Sequence, residues 1–166
     1  MNWIWTTISV IGSIASIFGA IYAINAEKKA RASAKIAEDA KDKVLAKKKT
    51  TDLVEILYES KRIQKVFVKY STAQTQTILK GSDFNEDAKF LREFISKINE
   101  NRALIKDNSE INADKYYKET NELLESYCSD NTIKNKQEQG KLIILKIDDM
   151  IYKLKKSIDN RNEKSE

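Results

Sequence analysis

Three lysines spaced by four, Lys61, Lys65 and Lys69, fall on one helix face, with Arg62 adjacent and Tyr58 and Tyr70 close by. Ammonium groups along one face attract phosphates, and tyrosines among them can stack on bases. The pattern suits single-stranded nucleic acid or a nucleotide messenger. A second basic group, Lys47, Lys48 and Lys49, lies upstream. The seven cations form the candidate anion-binding set. Two plainer readings compete: a solvated helix face with Glu59 nearby, and a polybasic segment that holds anionic lipid.

Other chemistries are poorly supplied. The chain has no histidine and one cysteine, Cys128. Within one chain a His base, a Cys–His pair, the usual zinc sites and an internal disulfide are therefore excluded, and a lone cysteine fits a reducing compartment. Neither the Walker A pattern nor the dinucleotide-binding glycine pattern is present. The expectation is a protein that is not an enzyme and carries no cofactor and no metal.

The elements that must position the cations are helical. Among 166 residues there is no proline and there are four glycines, and Lys, Glu, Asn, Ile and Ala are abundant. The expected class is all-α. Charge is uneven along the chain. Residues 26–50 carry nine Lys/Arg and four Asp/Glu, residues 1–25 carry none, and residues 51–166 carry 21 of each sign. The whole surplus of +5 follows an apolar run.

That run, Trp3 to Ile24, contains no charged side chain. At about 1.5 Å per residue it reaches roughly 33 Å, enough to cross a hydrocarbon core. Trp3, Trp5 and Tyr22 stand where interfacial aromatics belong. A cleaved signal peptide would need a positive segment before the run, and only Met1 and Asn2 stand there. The expectation is a single transmembrane helix. Lys28, Lys29, Arg31 and Lys35 follow it, so the positive-inside rule places the N-terminus outside and the C-terminal domain in the cytoplasm.

Small residues line one side of this span. Ser9, Gly12, Ser16, Gly19 and Ala23 alternate by three and four, and Ser13 and Ala20 widen the stripe. Such a face lets helices approach closely. Chance composition, a self-packing face and the lining of a narrow ion path are the three readings, and self-packing is preferred. The spacing continues through Ala26, Ala30, Ser33, Ala37, Ala40 and Val44. A stripe repeating every 3.5 residues is a coiled-coil seam, although an Ala/Lys/Glu segment can also stand as a single helix. If several necks meet, each neck lysine becomes a ring of charge able to bind an anion.

The Trp3-Ile4-Trp5 opening, the Ser/Gly/Ala span and the Ala/Lys neck resemble the membrane effectors of Hailong-type antiphage defence systems, over the first 50 residues. The resemblance implies a homotetrameric, channel-like assembly in the bacterial inner membrane. It further implies gating by single-stranded DNA oligomers made by a partner nucleotidyltransferase, with loss of the DNA releasing the effector to depolarise the membrane. A membrane-tethered interaction module and a phage-encoded lysis or exclusion protein are the alternatives.

The expected organisation is a span at 1–25, a basic neck at 26–50, a helical bundle at 51–158 and a disordered tail at 159–166. Within the bundle, Leu53 to Tyr70 is amphipathic, either as a continuation of the neck helix or as a new helix after Thr50. Ser71 to Asn85 reads as a loop. Helices follow at about Glu86–Ile105, Asn112–Cys128 and Thr132–Ile158, the last open to interruption at Gly140. Short loops between them imply an antiparallel bundle.

Overall fold

A computed structural model describes residues 3–129 and 131–163, with the side chains of residues 1–18 and 21 outside that description. The described elements are helical throughout: α1 (Trp3–Thr72), a 3₁₀ helix (Gln76–Leu79), α2 (Phe84–Glu100), α3 (Arg102–Asn108), α4 (Ala113–Ser129) and α5 (Ile133–Glu163). The all-α expectation holds. Two compact units divide the chain, residues 1–46 and 47–166.

In the first unit the backbone is helical from Trp3, and the described side chains from Tyr22 to Ala46 are exposed on every side. Ile36 and Val44 are 69% and 68% exposed. Intrinsic propensity of Ala, Lys and Glu sustains such a helix. Arg31 adds a 2.5 Å ion pair to Glu27, one turn back, worth a few tenths of a kcal/mol. Among the described residues no helix is long and apolar enough to cross a membrane. Most of the expected span, including Ser9, Gly12, Ser13 and Ser16, falls on side chains outside the description, whereas Gly19, Ala20 and Ala23 are described and exposed.

The second unit is built around stripes of apolar residues at helical spacing. Helix α1 contributes Leu53, Ile56, Ile63, Phe67 and Tyr70, with the buried Ser60 hydroxyl donating to its own helix at the Ile56 carbonyl, 2.8 Å away. Helix α2 contributes Leu91, Phe94, Ile95 and Ile98; α4 contributes Tyr116, Leu124 and Tyr127; α5 contributes Ile143, Ile147, Met150, Leu154 and Ile158. Each large aliphatic or aromatic side chain so buried stabilises the fold by about 1.5–3 kcal/mol. Helices α1 and α5 run antiparallel. Gln64 donates to Asp148 at 2.6 Å, and just past the end of α1 the Ala73 carbonyl accepts from Gln137 at 2.8 Å. Helices α4 and α5 are antiparallel too, through Lys146–Glu119 at one level and Asn135 to the Ser126 carbonyl at another.

Several boundaries differ from expectation. No break occurs at Thr50, where neither glycine nor proline interrupts the ladder. The segment expected as a polar loop, Ser71–Asn85, keeps α1 as far as Thr72 and then forms a 3₁₀ turn that inserts Leu79 into the core, 1% exposed. Gly81, at φ 97°, turns the chain, and the Asp83 carboxylate caps α2 by accepting from the Asn85 and Glu86 amides at 3.0 and 2.9 Å. The expected helix Glu86–Ile105 is two helices, because Asn101 leaves helical geometry (φ −105°, ψ 15°). Helix α5 extends through residues 159–163, which were expected in the disordered tail. Residues 164–166 lie outside the description.

Gly140 does not interrupt α5. It is buried where α5 crosses Tyr70, and a Cβ built on it would lie 2.7 Å from Tyr70 Cβ and Cδ1 and closer still to Cγ. Glycine is therefore required here for close approach. Gly140→Ala is expected to lower the stability of the bundle by about 1–3 kcal/mol through overpacking, although alanine is the better helix former. A thermal melt followed by circular dichroism checks this, and a melting temperature equal to or above that of the parent chain would refute it.

Candidate anion-binding face of the first helix

Within the bundle α1 has two opposite stripes. Leu53, Ile56, Ser60, Ile63, Phe67 and Tyr70 recur by three and four and are buried. Roughly half a turn away, Thr51, Tyr58, Lys61, Lys65, Val68 and Thr72 are exposed, with Tyr58 at 68%. Lys61 and Lys65 hold their ammonium groups in water and make no ion pair among the described residues, and the same is true of Lys47, Lys48 and Lys49. They form a cationic face with one exposed aromatic, able to attract a polyanion through long-range charge without fixed hydrogen-bond geometry.

The expected stripe divides beyond Lys65. Lys69 lies beside α2 and is only partly exposed. There its ammonium sits 2.6 Å from Asp87 Oδ2 and 2.9 Å from Oδ1, on α2. Arg62 turns aside as well, pairing with Glu59 at 3.2 Å and lying 5.4 Å above the Phe90 ring. Tyr70, expected to stack on bases, is fully buried. It stands seven residues after Ile63, on the core stripe.

Tyr70 belongs to a buried polar chain that sequence reading missed. Its hydroxyl donates to Asp87, which is 5% exposed, and meets the Tyr127 hydroxyl of α4 at 2.5 Å. The ring of Tyr70 lies 5.4 Å from Phe67, 5.9 Å from Tyr127 and 6.4 Å from Phe84. Lys136, 3% exposed, donates to the Tyr127 carbonyl at 2.5 Å and rests 4.6 Å from the Tyr127 ring centroid. One continuous path thus runs from Lys69 through Asp87, Tyr70 and Tyr127, joining α1, α2 and α4, with α5 attached through Lys136. Burial, followed by the hydrogen bond to Asp87, pushes the Tyr70 hydroxyl far above its ordinary pKa of 10.0. Burial likewise raises that of Tyr127, with the Tyr70 hydrogen bond pulling the other way.

The exposed stripe of α1 has a further property. From Gly19, the small-residue positions Ala23, Ala26, Ala30, Ser33, Ala37, Ala40 and Val44 alternate by four and three. Without a skipped step the same alternation gives Lys47, Thr51, Val54, Tyr58, Lys61, Lys65, Val68 and Thr72. All of these are exposed except Val54, which is half-buried. In sequence, one heptad register therefore runs from the neck stripe through these positions. Sequence reading stopped at Val44 because lysine and threonine replace alanine there; counting the register onward would have found the rest.

Comparison with protein-family profiles, with curated protein sequences and with solved structures returned no match.

Two outcomes test the buried path. Both tyrosines must stay neutral in the folded chain, whereas in the unfolded chain they ionise near 10.0. Their contribution is complete below that pH and declines above it, because the unfolded state then releases protons that the folded state retains. The melting temperature should fall steeply above about pH 10 and less steeply in Tyr70→Phe; equal slopes would contradict the role given to Tyr70. Lys69→Met should cost about 1–3 kcal/mol in chemical denaturation, by leaving the buried Asp87 without its counter-charge. Lys65→Met, on the open face, should cost less than about 0.5 kcal/mol.

Proposed function

We propose that the chain is the subunit of a membrane-anchored homo-oligomer of bacterial antiphage defence. In this reading the copies assemble in parallel along α1, conduct ions across the inner membrane, and change state with an anionic oligonucleotide bound on the cytoplasmic side. The observation that carries the reading is the single heptad register. It runs in sequence from the small-residue stripe of the neck into positions of α1 in the bundle that are exposed except at the half-buried Val54.

A parallel seam needs its positions free of other helices, and among the described residues every register position from Gly19 to Thr72 except the half-buried Val54 is exposed. Small residues at the seam allow close approach of the helices. Lysines at Lys47, Lys61 and Lys65 do the opposite, since copies side by side bring like charges together. A polyanion between the copies removes that repulsion. Occupancy by a short single-stranded DNA would therefore alter the free energy of the assembly in the cytoplasm, and α1 carries the same register toward the apolar run at Trp3–Ile24. The resemblance to Hailong-type effectors supplies the expected count of four copies and the partner nucleotidyltransferase. Lys48 and Lys49 flank the seam and suit either the oligonucleotide or the headgroups of anionic lipid. Arg62 and Lys69 are engaged within the bundle and take no part.

The decisive experiment is induced expression with a membrane-potential dye. Ala30→Leu widens the seam and should abolish depolarisation or shift the oligomer size. Ala32→Leu, which is off the seam, should leave both unchanged. Equal behaviour of the two variants would remove the basis of the reading. For the ligand, binding of a short single-stranded DNA by the intact oligomer should weaken steeply with salt. Lys61→Ala with Lys65→Ala should reduce the slope of log affinity against log salt by about 1.4, two contacts at roughly 0.7 each. An unchanged slope would place the DNA elsewhere.

A further inference from the structure

In residues 47–166 the outward positions of α1 carry charge of one sign around one ring. Tyr58, Lys61 and Lys65 recur by three and four, and Lys47 falls on the same spacing through Thr51 and Val54. Tyr58 is 68% exposed, and among the described residues neither its ring nor its hydroxyl has a partner. The carboxylates of this stretch are drawn elsewhere. Asp52, Glu55 and Glu59 also recur by three and four, but on the flank toward α2. There Glu55 pairs with Lys97 at 2.6 Å, and Glu59 pairs with Arg62 at 3.2 Å beside Phe90. On the other flank Asp148 of α5 accepts from Gln64 at 2.6 Å. Between the flanks stand the lysines and the ring. Single exposed aromatics are ordinary on a protein surface. A ring set between ammonium groups that no carboxylate pairs suits a chain of phosphates that carries bases.

We propose that Tyr58 stacks on a base of a single-stranded oligonucleotide laid along α1, with phosphates at Lys47 toward one end and at Lys61 and Lys65 toward the other. The inference rests on the oligonucleotide reading above and adds the group that distinguishes bases from phosphate alone. Lys47 and Lys65 are 18 residues apart, roughly 27 Å along the helix axis. A stacked strand sets one phosphate every 3.4 Å or so, which makes the span about eight nucleotides. Tyr58 lies between, roughly 16 Å from the level of Lys47 and 10 Å from that of Lys65, so one strand can meet all of them. A dinucleotide is too short to reach both ends. A duplex keeps its bases stacked on each other and offers the ring no free face. A polyphosphate supplies the charge and has no planar group.

The test uses the full chain in a nonionic detergent, with a labelled single-stranded octanucleotide of mixed sequence and an abasic strand of the same length. Fluorescence anisotropy should show that Tyr58→Ala binds the octanucleotide about tenfold more weakly than the parent chain. Its affinity for the abasic strand should be unchanged. The dependence of log affinity on log salt should also be unchanged, because no charge is removed. Tyr58→Trp should keep the parent affinity, and a dinucleotide should bind the parent chain at least about tenfold more weakly than the octanucleotide. Equal affinity of Tyr58→Ala and the parent chain for the octanucleotide would overturn the proposal and leave the oligonucleotide reading standing. Equal weakening of the abasic strand would overturn it by giving Tyr58 a structural role. A changed oligomer mass of Tyr58→Ala in light scattering would do so by making the ring a contact between copies. Equal affinity of the dinucleotide would refute the lengthwise placement. Absence of binding of any strand by the parent chain at low salt would remove the reading and the proposal together.

Discussion

Between Leu53 and Tyr70 one helix must serve two surfaces with a single 3.6-residue period. Its buried stripe is fixed by Leu53, Ile56, Ile63, Phe67 and Tyr70, which lock α1 to the other helices at one rotational setting. Once that setting is chosen, the opposite stripe has no freedom left. Tyr58, Lys61, Lys65 and Val68 must face outward. In sequence, the three-and-four spacing of that outward stripe continues toward the N-terminus. The residues found there are alanines, a serine and Val44.

The buried polar chain strengthens that lock by means the apolar core cannot supply. Packing alone tolerates small rotations, since hydrophobic contacts have no direction. Hydrogen bonds do, and Tyr70 is held at once by Asp87 and Tyr127. A rotation of α1 that carried Tyr70 away would leave Asp87 buried with fewer donors and Tyr127 without its partner, and each buried unsatisfied group costs about 1–3 kcal/mol. Lys69 supplies the charge that makes the burial of Asp87 tolerable. A lysine that looks in sequence like the end of a ligand-binding stripe is thus part of the interior fastening.

Periodic apolar residues made the helices legible in the sequence, and α4, with Tyr116, Leu124 and Tyr127, lies within a residue of its expected bounds. Three features were not legible, each for a physical reason. Leu79 is one apolar residue in a polar segment, and only the 3₁₀ turn directs it into the core. Asn101 splits α2 from α3 without proline or glycine, so no strong breaker marked the place. Gly140 reads as a helix weakness until Tyr70 is seen against it. The candidate site was legible in part. Lys61 and Lys65 stand exposed as the spacing suggested, whereas Lys69 reaches Asp87 on α2 and Tyr70, the next residue, falls on the core stripe.

The contact between Tyr70 and Gly140 also bears on synthesis. Tyr70 closes the core stripe of the first helix, yet the backbone it packs on is made 70 residues later. At about 5–20 residues per second the ribosome needs roughly 4–14 s to cover that distance. Throughout that interval Leu53, Ile56, Ile63, Phe67 and Tyr70 have no α5 to cover them. The nascent chain therefore makes this apolar helix face seconds before the helix that completes its cover exists.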